Sequence, residues 1–144
     1  MLTRALGSAA LALTLAVGPL AAQGAATGKE PESHGRTLSE WIADLKAPAP
    51  QTRNAAAYEI SGMGPAAAAA VPALIESLDD PIAAVRFPVT VALGEIGPAA
   101  EAAVPRLLKV MQEDINDEVA AGAKRAIRHI KPQALTAAQP ADAD

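Results

Sequence analysis

Apolar residues recur at helical spacing through the middle of the chain, and glycine-proline pairs interrupt them. The first apolar stripe contains Leu38, Trp41 and Leu45, whose spacing places them on one face of a helix. Thr37 and Glu40 flank its start with the spacing of a capping box, in which each side chain bonds the other residue's backbone amide. No segment shows the alternation of apolar and polar residues that is typical of a strand. The pattern predicts an all-α fold.

The helical pattern occurs three times along the chain. The stretch GPAAAAAVPALIESL (64–78) reappears 33 residues further on as GPAAEAAVPRLLKVM (97–111). A third copy follows at an offset of 34, because one extra residue lies in QEDINDE (112–118), between two helices. Each copy contains two predicted helices, and the second helix of each is predicted over Thr52–Met63, Ile82–Ile96 and Glu118–Ile130.

A helical hairpin with one narrow apolar stripe on each helix cannot bury that stripe by itself. Hairpins that stack on one another bury a continuous core. Residues 37–132 are therefore predicted to form a short α-solenoid of about three helical hairpins. Gly64-Pro65 and Gly97-Pro98 end two of the second helices, since glycine accepts a left-handed C-cap and proline cannot continue the helix.

Pro88 interrupts this regular pattern inside the second helix of the middle copy. Proline lacks the amide that would bond the carbonyl of Ala84, and its ring clashes with that carbonyl. We expect this helix to kink, or to become regular only from about Val85. In either case the irregular part is expected to lie on the surface that binds a partner.

Arg53 and Arg86 occupy the same position in the first two copies, at the start of the second helix. A guanidinium there has Asp44, Asp79 or Asp80 and helix-end carbonyls within possible reach, and such contacts repeated in each copy set the orientation between hairpins. We therefore assign Arg53 and Arg86 a structural role. Asp80 and Asp117 are assigned cap and first-turn positions of the following helices.

The N-terminal segment differs from the repeats. Arg4 precedes an alanine- and leucine-rich run that ends near Gly18-Pro19 and is followed by small residues, the order found in a secretory signal peptide. Residues 1–22 are predicted to be this signal, with cleavage after Ala22. The alternative is an uncleaved anchor, but an alanine-rich run broken by Gly18-Pro19 fits a membrane span less well. The cleaved protein is expected to be secreted or periplasmic and free of the membrane.

The segments on either side of the repeats are polar and lack periodicity. Residues 23–36 are predicted to be a flexible linker, and residues 133–144 a disordered tail.

The composition excludes several classes of chemistry. The formal net charge of −4 argues against nucleic acid, because duplex binding depends on lysine and arginine that neutralise phosphates. The chain has no cysteine and only two histidines, so no dense metal-ligand pattern is present. His34 falls in the predicted linker, and Ser61 has no histidine placed beside it by the repeat. We predict no catalytic residue, no cofactor and no metal.

The repeats resemble the short HEAT-like repeats of the phycobilisome-lyase type. The likeness is carried by APQTRNAAAYEISGMGP (49–65), AAVPALIESLDDP (69–81) and PIAAVRFPVTVALGEIGP (81–98). In such repeats a valine or threonine plus arginine opens the second helix and a glycine-proline pair closes it. Ala120 stands where arginine is expected, so an arginine ladder is predicted to end before the third repeat. The resemblance covers about 38–132 and is more specific for the fold than for the function.

The resemblance implies that the second helices line the concave surface of the solenoid. Tyr58, Phe87 and Val91 are then predicted to form an apolar strip that leads to a basic end at Arg125 and Arg128. The alternative is that Tyr58 and Phe87 fold back over neighbouring helices. The full set of positions predicted to face outward is Asn54, Ala57, Tyr58, Ser61, Phe87, Thr90, Val91, Gly94, Ala121, Lys124, Arg125 and Arg128.

These features predict an exported, non-catalytic protein–protein interaction module. The partner is expected to be a protein or peptide bound on the concave face, with an acidic or extended segment as one candidate. The alternative implied by the resemblance is a bilin-lyase-like or other enzyme-associated accessory factor. The oligomeric state and the identity of the partner are left open.

Overall fold

The computed structural model describes residues 28–138. The predicted signal peptide, the first part of the predicted linker and residues 139–144 lie outside this range. Within it, the chain forms two short strands and seven α-helices. Their bounds are β1 Glu32–Ser33, β2 Arg36–Thr37, α1 Leu38–Asp44, α2 Pro50–Met63, α3 Val71–Ser77, α4 Ala83–Ile96, α5 Val104–Glu113, α6 Asp117–Ile130 and α7 Gln133–Ala137.

Three helical hairpins stack into a short all-α solenoid, as the sequence predicts. The hairpins are α1 with α2, α3 with α4, and α5 with α6, and the second helices pack on one another in the order α2, α4, α6. The predicted inward positions form the core. Among them, Ile60, Leu93 and Ile127 are equivalent residues of the three second helices, and each is fully buried. One hydrophobic cluster runs through all three hairpins, so each apolar stripe is buried against its neighbours.

The glycine-proline pairs end the second helices as predicted. Gly64 has φ +55 and Gly97 has φ +74, and both lie at the C-cap in a backbone region that other residues rarely adopt. Short 3-10 turns begin at each glycine, over Gly64–Ala70 and Gly97–Ala103, and each stretch is interrupted once, at Ala67 or at Ala100. These segments carry the chain to Val71 and Val104, where the next hairpin begins with proline in its first turn.

The described part of the predicted linker is folded, which corrects the prediction of a flexible segment and of a chain without strands. Strands β1 and β2 pair antiparallel, with Glu32 opposite Thr37 and Ser33 opposite Arg36. His34 and Gly35 form the turn between them, and their φ angles are +50 and +73. A two-residue type I′ turn requires a positive φ at both positions. Strands of two residues are too short to produce a visible alternation in the sequence.

The β-hairpin is held against the first helical hairpin. The indole Nε1 of Trp41 donates to the Ser33 carbonyl at 3.3 Å, and the Arg36 guanidinium lies 4.0 Å from the centroid of the Trp41 ring. Arg36 also donates to Asp44 at 2.8 Å. The predicted capping box between Thr37 and the third residue of α1 is present. The hairpin therefore covers the N-terminal end of the solenoid.

Helix α4 continues through Pro88 from Ala83 to Ile96, and its regular part is not delayed to Val85. The Pro88 ring is fully buried, so the expectation that an irregular segment faces a partner is wrong. At the other end of the chain, Gln133–Ala137 of the predicted disordered tail forms helix α7, whose Ala134 and Leu135 pack against the core. Within residues 28–138, no helix has both the length and the apolar character needed to cross a membrane.

Candidate protein-interaction surface

Tyr58, Val91 and Arg125 occupy equivalent positions on the three second helices, and we call them the middle row. Tyr58 on α2 is 48% exposed, Val91 on α4 is half-buried, and Arg125 on α6 is exposed. Because α2, α4 and α6 pack side by side in register, these side chains form a line across the hairpins. The line passes from an aromatic ring through an aliphatic side chain to a cation, in the order that the sequence predicts.

Phe87 does not extend this line as an exposed ring. Its side chain is half-buried and packs against the core, and its Cδ2 lies 3.6 Å from the point where a methyl group on Gly122 would stand. The ring therefore folds over the neighbouring helix α6. The alternative from the sequence, that these rings fold back over neighbouring helices, therefore holds for Phe87 but not for Tyr58, which is exposed.

Three positions that the sequence places on the outer surface are instead buried between hairpins. Ala57 and Thr90 are fully buried, and Gly94 is buried as well. A methyl group on Gly94 would stand 3.2 Å from the Cα of Ala126 on α6. These residues face the second helix of the next hairpin, and their small size lets the two helices approach closely.

Among residues 28–138 no further hairpin packs on α6, and the equivalent positions of this helix are exposed. Lys124 and Arg128 stand where Thr90 and Gly94 stand in α4. Arg125 and His129 are exposed on the face that continues the middle row. The predicted basic end is thus present, but its cations occupy two faces of α6.

Between α4 and α6 the middle row borders a groove of about 70 Å³. Its lining includes the small residues Gly94, Gly122 and Ala126. Val91 and Glu95 of α4 line it on one side, and the Arg125 guanidinium and the His129 imidazole of α6 line it on the other.

The two buried arginines bridge successive hairpins. Arg53 donates through Nε to Asp80 Oδ2 at 2.6 Å and through Nη1 to the Ala47 carbonyl at 2.9 Å. Arg86 repeats this arrangement with Asp114 at 2.8 Å and with the Asp80 carbonyl at 2.8 Å. Each guanidinium also makes a second bond to the same carboxylate, which makes both pairs bidentate. The structural role predicted for these arginines agrees with this geometry.

Asp114 is the member of this ladder that the sequence does not reveal. Its partner Arg86 lies 28 residues earlier, and only the stacking of hairpins brings them together. Asp80, Asp114 and Ala47 are equivalent in the three repeats. Alanine replaces the aspartate at position 47 and the arginine at position 120, so the ladder does not continue from the third repeat, as Ala120 predicts.

Hydrogen bonds keep both aspartates of the ladder ionised. Burial raises the pKa of Asp80, but the bonds from Arg53 and from the Ile82 amide outweigh burial and leave the pKa below its ordinary value. The bonds from Arg86 lower the pKa of Asp114 more strongly than burial raises it. Asp117 lies in the first turn of α6, one of the two positions assigned to it, and the N-cap is Asn116, which accepts from the Val119 amide at 3.0 Å. Asp80 is not the cap of α4: the N-cap is Ile82, whose amide donates to the Asp80 carboxylate at 2.9 Å.

Sequence reasoning also missed a polar cluster that fastens the β-hairpin to α2. Ser33 Oγ donates to Glu59 Oε2 at 2.5 Å, and His34 Nδ1 lies 2.7 Å from the same oxygen. These bonds, the serine bond first, hold the pKa of Glu59 below its ordinary value. Ser33 Oγ also lies 3.3 Å from His34 Nδ1, and we call this cluster of three side chains the β-hairpin clasp. No group of three or more potential metal ligands occurs among residues 28–138.

The stacked hairpins, the glycine-proline junctions and the arginine–aspartate ladder define a helical-repeat protein of the solenoid class. Comparison with protein-family profiles then gives a match to HEAT repeats over residues 38–128. The chain belongs to the HEAT-repeat family. The match is to HEAT repeats in general, so the likeness to the phycobilisome-lyase type stays a prediction.

Neither the curated proteins nor the solved structures contain a significant match to the chain. HEAT repeats generally mediate protein–protein interactions, and the family is typically a non-catalytic scaffold.

Proposed function

We propose that this protein is an exported, non-catalytic interaction module whose protein partner binds along the second-helix face, across the middle row. The single observation that carries the proposal is the row itself. Tyr58, Val91 and Arg125 come from three different hairpins, and packing aligns them on one outer face. Exposed tyrosine and arginine are residue types that dominate binding energies at protein interfaces.

The surrounding surface supports binding rather than solvation alone. Tyr58 is one of only three large hydrophobic side chains exposed among residues 28–138, the others being Ile82 and Ile115. Its ring adds area that loses contact with water when a partner covers it, at roughly 25 cal/mol per Å² of apolar surface. The solenoid core beneath the row is continuous, so the row is held on a rigid support.

Site-specific photocrosslinking tests the proposed surface. A photoreactive amino acid replaces Tyr58 or Val91 in separate variants of the full chain, and each variant is irradiated with the exported fraction of its source cells. We expect both positions to crosslink the same protein. The matched control carries the photoreactive residue at Ile115, which is 97% exposed in the loop between α5 and α6.

Crosslinks of equal yield from position 115, or none from positions 58 and 91, would contradict the proposed surface. The control separates specific binding from contact through mere exposure, because Ile115 is more exposed than Tyr58 but lies away from the middle row.

Export is the second part of the proposal. It is supported by the predicted signal peptide over residues 1–22. N-terminal sequencing of the protein recovered outside the cytoplasm tests it, with Gln23 expected as the first residue. A protein that keeps Met1 and stays with the cytoplasmic fraction would refute this part and leave the interaction surface to be judged by crosslinking.

A further inference from the structure

Three cations of α6 differ from all other lysines and arginines between residues 28 and 138. Each of the others lies within ion-pair distance of a carboxylate, whereas Lys124, Arg125 and Arg128 have no such partner in the described part of the chain. The ion pairs are Lys29–Glu32, Arg36–Asp44, Lys46–Glu76, Arg53–Asp80, Arg86–Asp114, Arg106–Asp79, Lys109–Glu113 and Lys131–Glu101.

Capping of the solenoid explains only part of this arrangement. Lys124 and Arg128 replace the small inter-hairpin residues Thr90 and Gly94, so they prevent a further hairpin from packing on α6. Arg125 follows the middle row instead and lies beside the groove between α4 and α6. Its exposure without a carboxylate partner, in a protein with a net charge of −4, has no such structural explanation.

The groove beside Arg125 suits a narrow ligand. Gly94, Gly122 and Ala126 contribute little side-chain volume, and this brings a ligand close to the helix backbones. Arg125 and His129 lie one turn apart on α6 and both line the groove. Val91 on α4 continues the lining toward Tyr58, so the apolar and cationic parts of the surface adjoin each other.

We propose that this surface recognises an extended acidic segment of the protein partner. The carboxylates of the segment lie over Arg125 and His129, with Arg128 on the adjoining face of α6, and an apolar side chain of the segment covers Val91. The inference rests on the proposed function, since it names the chemistry of the partner on that same surface. Arginine is suited to the role because its guanidinium binds a carboxylate through two parallel hydrogen bonds.

Helix spacing sets the pattern that such a segment needs. Packed helices lie about 8–10 Å apart, and an extended chain advances about 3.3 Å for each residue. A segment that crosses α4 and then α6 therefore has its contacts on neighbouring helices about three residues apart. We expect an apolar residue followed, three residues later, by one or two aspartates or glutamates.

An acidic peptide fits the surface better than a nucleic acid does. Glu95 lines the same groove, and Asp117 and Glu118 lie exposed in the first turn of α6. These carboxylates limit the cationic area to a short stretch of the surface. Nucleic acid binding, in contrast, depends on many phosphate contacts along a strand. The surface therefore accommodates a few carboxylates at a defined position.

Panning of a displayed library of random twelve-residue peptides against the full chain tests the inference. We expect the selected peptides to carry the apolar–acidic pattern. In one selected peptide, replacement of its acidic residues by asparagine or glutamine is expected to weaken the Kd about 10- to 100-fold, the range for losing charge-assisted hydrogen bonds. The protein variant Arg125→Glu should weaken binding to a similar extent, and added salt should weaken binding to the wild type.

The matched control is Lys109→Glu, which makes the same charge change at an exposed residue of α5 away from the groove. It should leave the Kd within about twofold of the wild-type value, because a distant surface charge is screened. Circular dichroism of both variants establishes that they are folded. An equal loss of affinity in the two variants would show a response to net charge alone and would overturn the proposal.

Other results would overturn the inference of acidic recognition and leave the proposed protein-binding function unaffected. Neutral or basic peptides among those selected, or acidic ones that bind Arg125→Glu as well as the wild type, exclude acidic recognition at this site. Retention of a single-stranded oligonucleotide at physiological salt, abolished by Arg125→Glu, would assign the surface to nucleic acid. Crosslinking at positions 58 and 91 reports on protein binding whatever the chemistry of the segment, so the two failures are distinguishable.

Discussion

Asn54 on α2 donates its side-chain amide to the carbonyl of Ala84 on α4, with an N–O distance of 2.5 Å. That carbonyl is the one that loses its helical partner, because Pro88 has no backbone amide to offer it. The neighbouring hairpin thus supplies the missing donor. This contact accounts for a second helix that runs unbroken through an internal proline.

The Asn54–Ala84 bond predicts coupling between Asn54 and Pro88. In the wild type, Asn54→Ala should lower the free energy of unfolding by about 0.5–1.5 kcal/mol, the usual range for one hydrogen bond. In a Pro88→Ala background the new amide bonds the Ala84 carbonyl, so the cost of Asn54→Ala should fall toward zero. Urea denaturation of the four proteins in this double-mutant cycle measures the coupling. Equal costs in the two backgrounds would contradict the compensation.

The ladder predicts that Arg86→Ala lowers the free energy of unfolding by about 1–3 kcal/mol, because it leaves the carboxylate of Asp114, whose side chain is 6% exposed, without its bidentate partner. Thermal and urea denaturation measure this loss. Lys109→Ala is the control, since its exposed pair with Glu113 spans 3.8 Å and contributes no more than about 0.5 kcal/mol. A melting temperature that Arg86→Ala leaves unchanged would refute a stabilising ladder.

The depressed pKa values of Asp80 and Asp114 predict loss of stability in acid. Their carboxylates bind protons at lower pH in the folded chain than in the unfolded chain, where the pKa is about 3.9. Their contribution is therefore complete above about pH 5 and is lost as the pH falls through 3.9 toward the folded pKa values. Urea midpoints measured from pH 6 to pH 3 should decline, and less steeply in Asp114→Asn. A parallel decline in that variant would show that other carboxylates control the effect.

Two glycine substitutions are expected to have opposite effects on stability, because Gly122 is packed closely against α4 whereas Gly62 has open space around it. A methyl group on Gly122 would overlap Oγ1 of Thr90, which is buried and donates to the Phe87 carbonyl at 2.7 Å. Gly122→Ala should therefore cost about 1–3 kcal/mol, as overpacked cores do. Gly62→Ala on α2 meets no atom within 4 Å and should stabilise the chain by about 0.5–1 kcal/mol through helix propensity. Urea denaturation compares the two, and stabilisation by both would show that the helices separate readily.

The β-hairpin clasp predicts that Glu59 of α2 holds strands β1 and β2 in place. Glu59→Gln removes the charge that Ser33 and His34 bind, and it should increase amide hydrogen exchange in β1 and β2 more than in α4. Hydrogen exchange with mass spectrometry of the peptides measures this difference. Glu95→Gln is the control, because Glu95 is exposed on the equivalent helix of the next repeat. The clasp is unsupported if both variants exchange like the wild type.

Much of the fold follows from patterns within about one repeat length of sequence. Ile60, Leu93 and Ile127 are buried where helical spacing places them, and Gly64 and Gly97 end helices because few other residues adopt their backbone angles. These features depend on neighbours a few residues away. For the same reason the capping box of α1 was predictable from Thr37 and Glu40.

The candidate surface was predicted only in part. Helical spacing identifies the inner apolar stripe of a helix. It does not distinguish positions that face solvent from positions that contact the next hairpin, because that depends on how the hairpins pack. The spacing therefore predicts Ala57, Thr90 and Gly94 to be exposed, although they are buried against the following second helix. The small size of Gly94 was the available signal, since close helix packing demands it.

The sequence by itself determined three helical hairpins, their junctions and the arginines at the start of two second helices, because local spacing and backbone preference decide those features. Only the tertiary structure decided that Arg86 binds Asp114, that Phe87 folds over α6, that Asn54 replaces the amide missing at Pro88, and that a β-hairpin covers Trp41. Each of these contacts joins elements whose relative placement results from the packing of whole helices. Residue spacing along the chain does not contain that information.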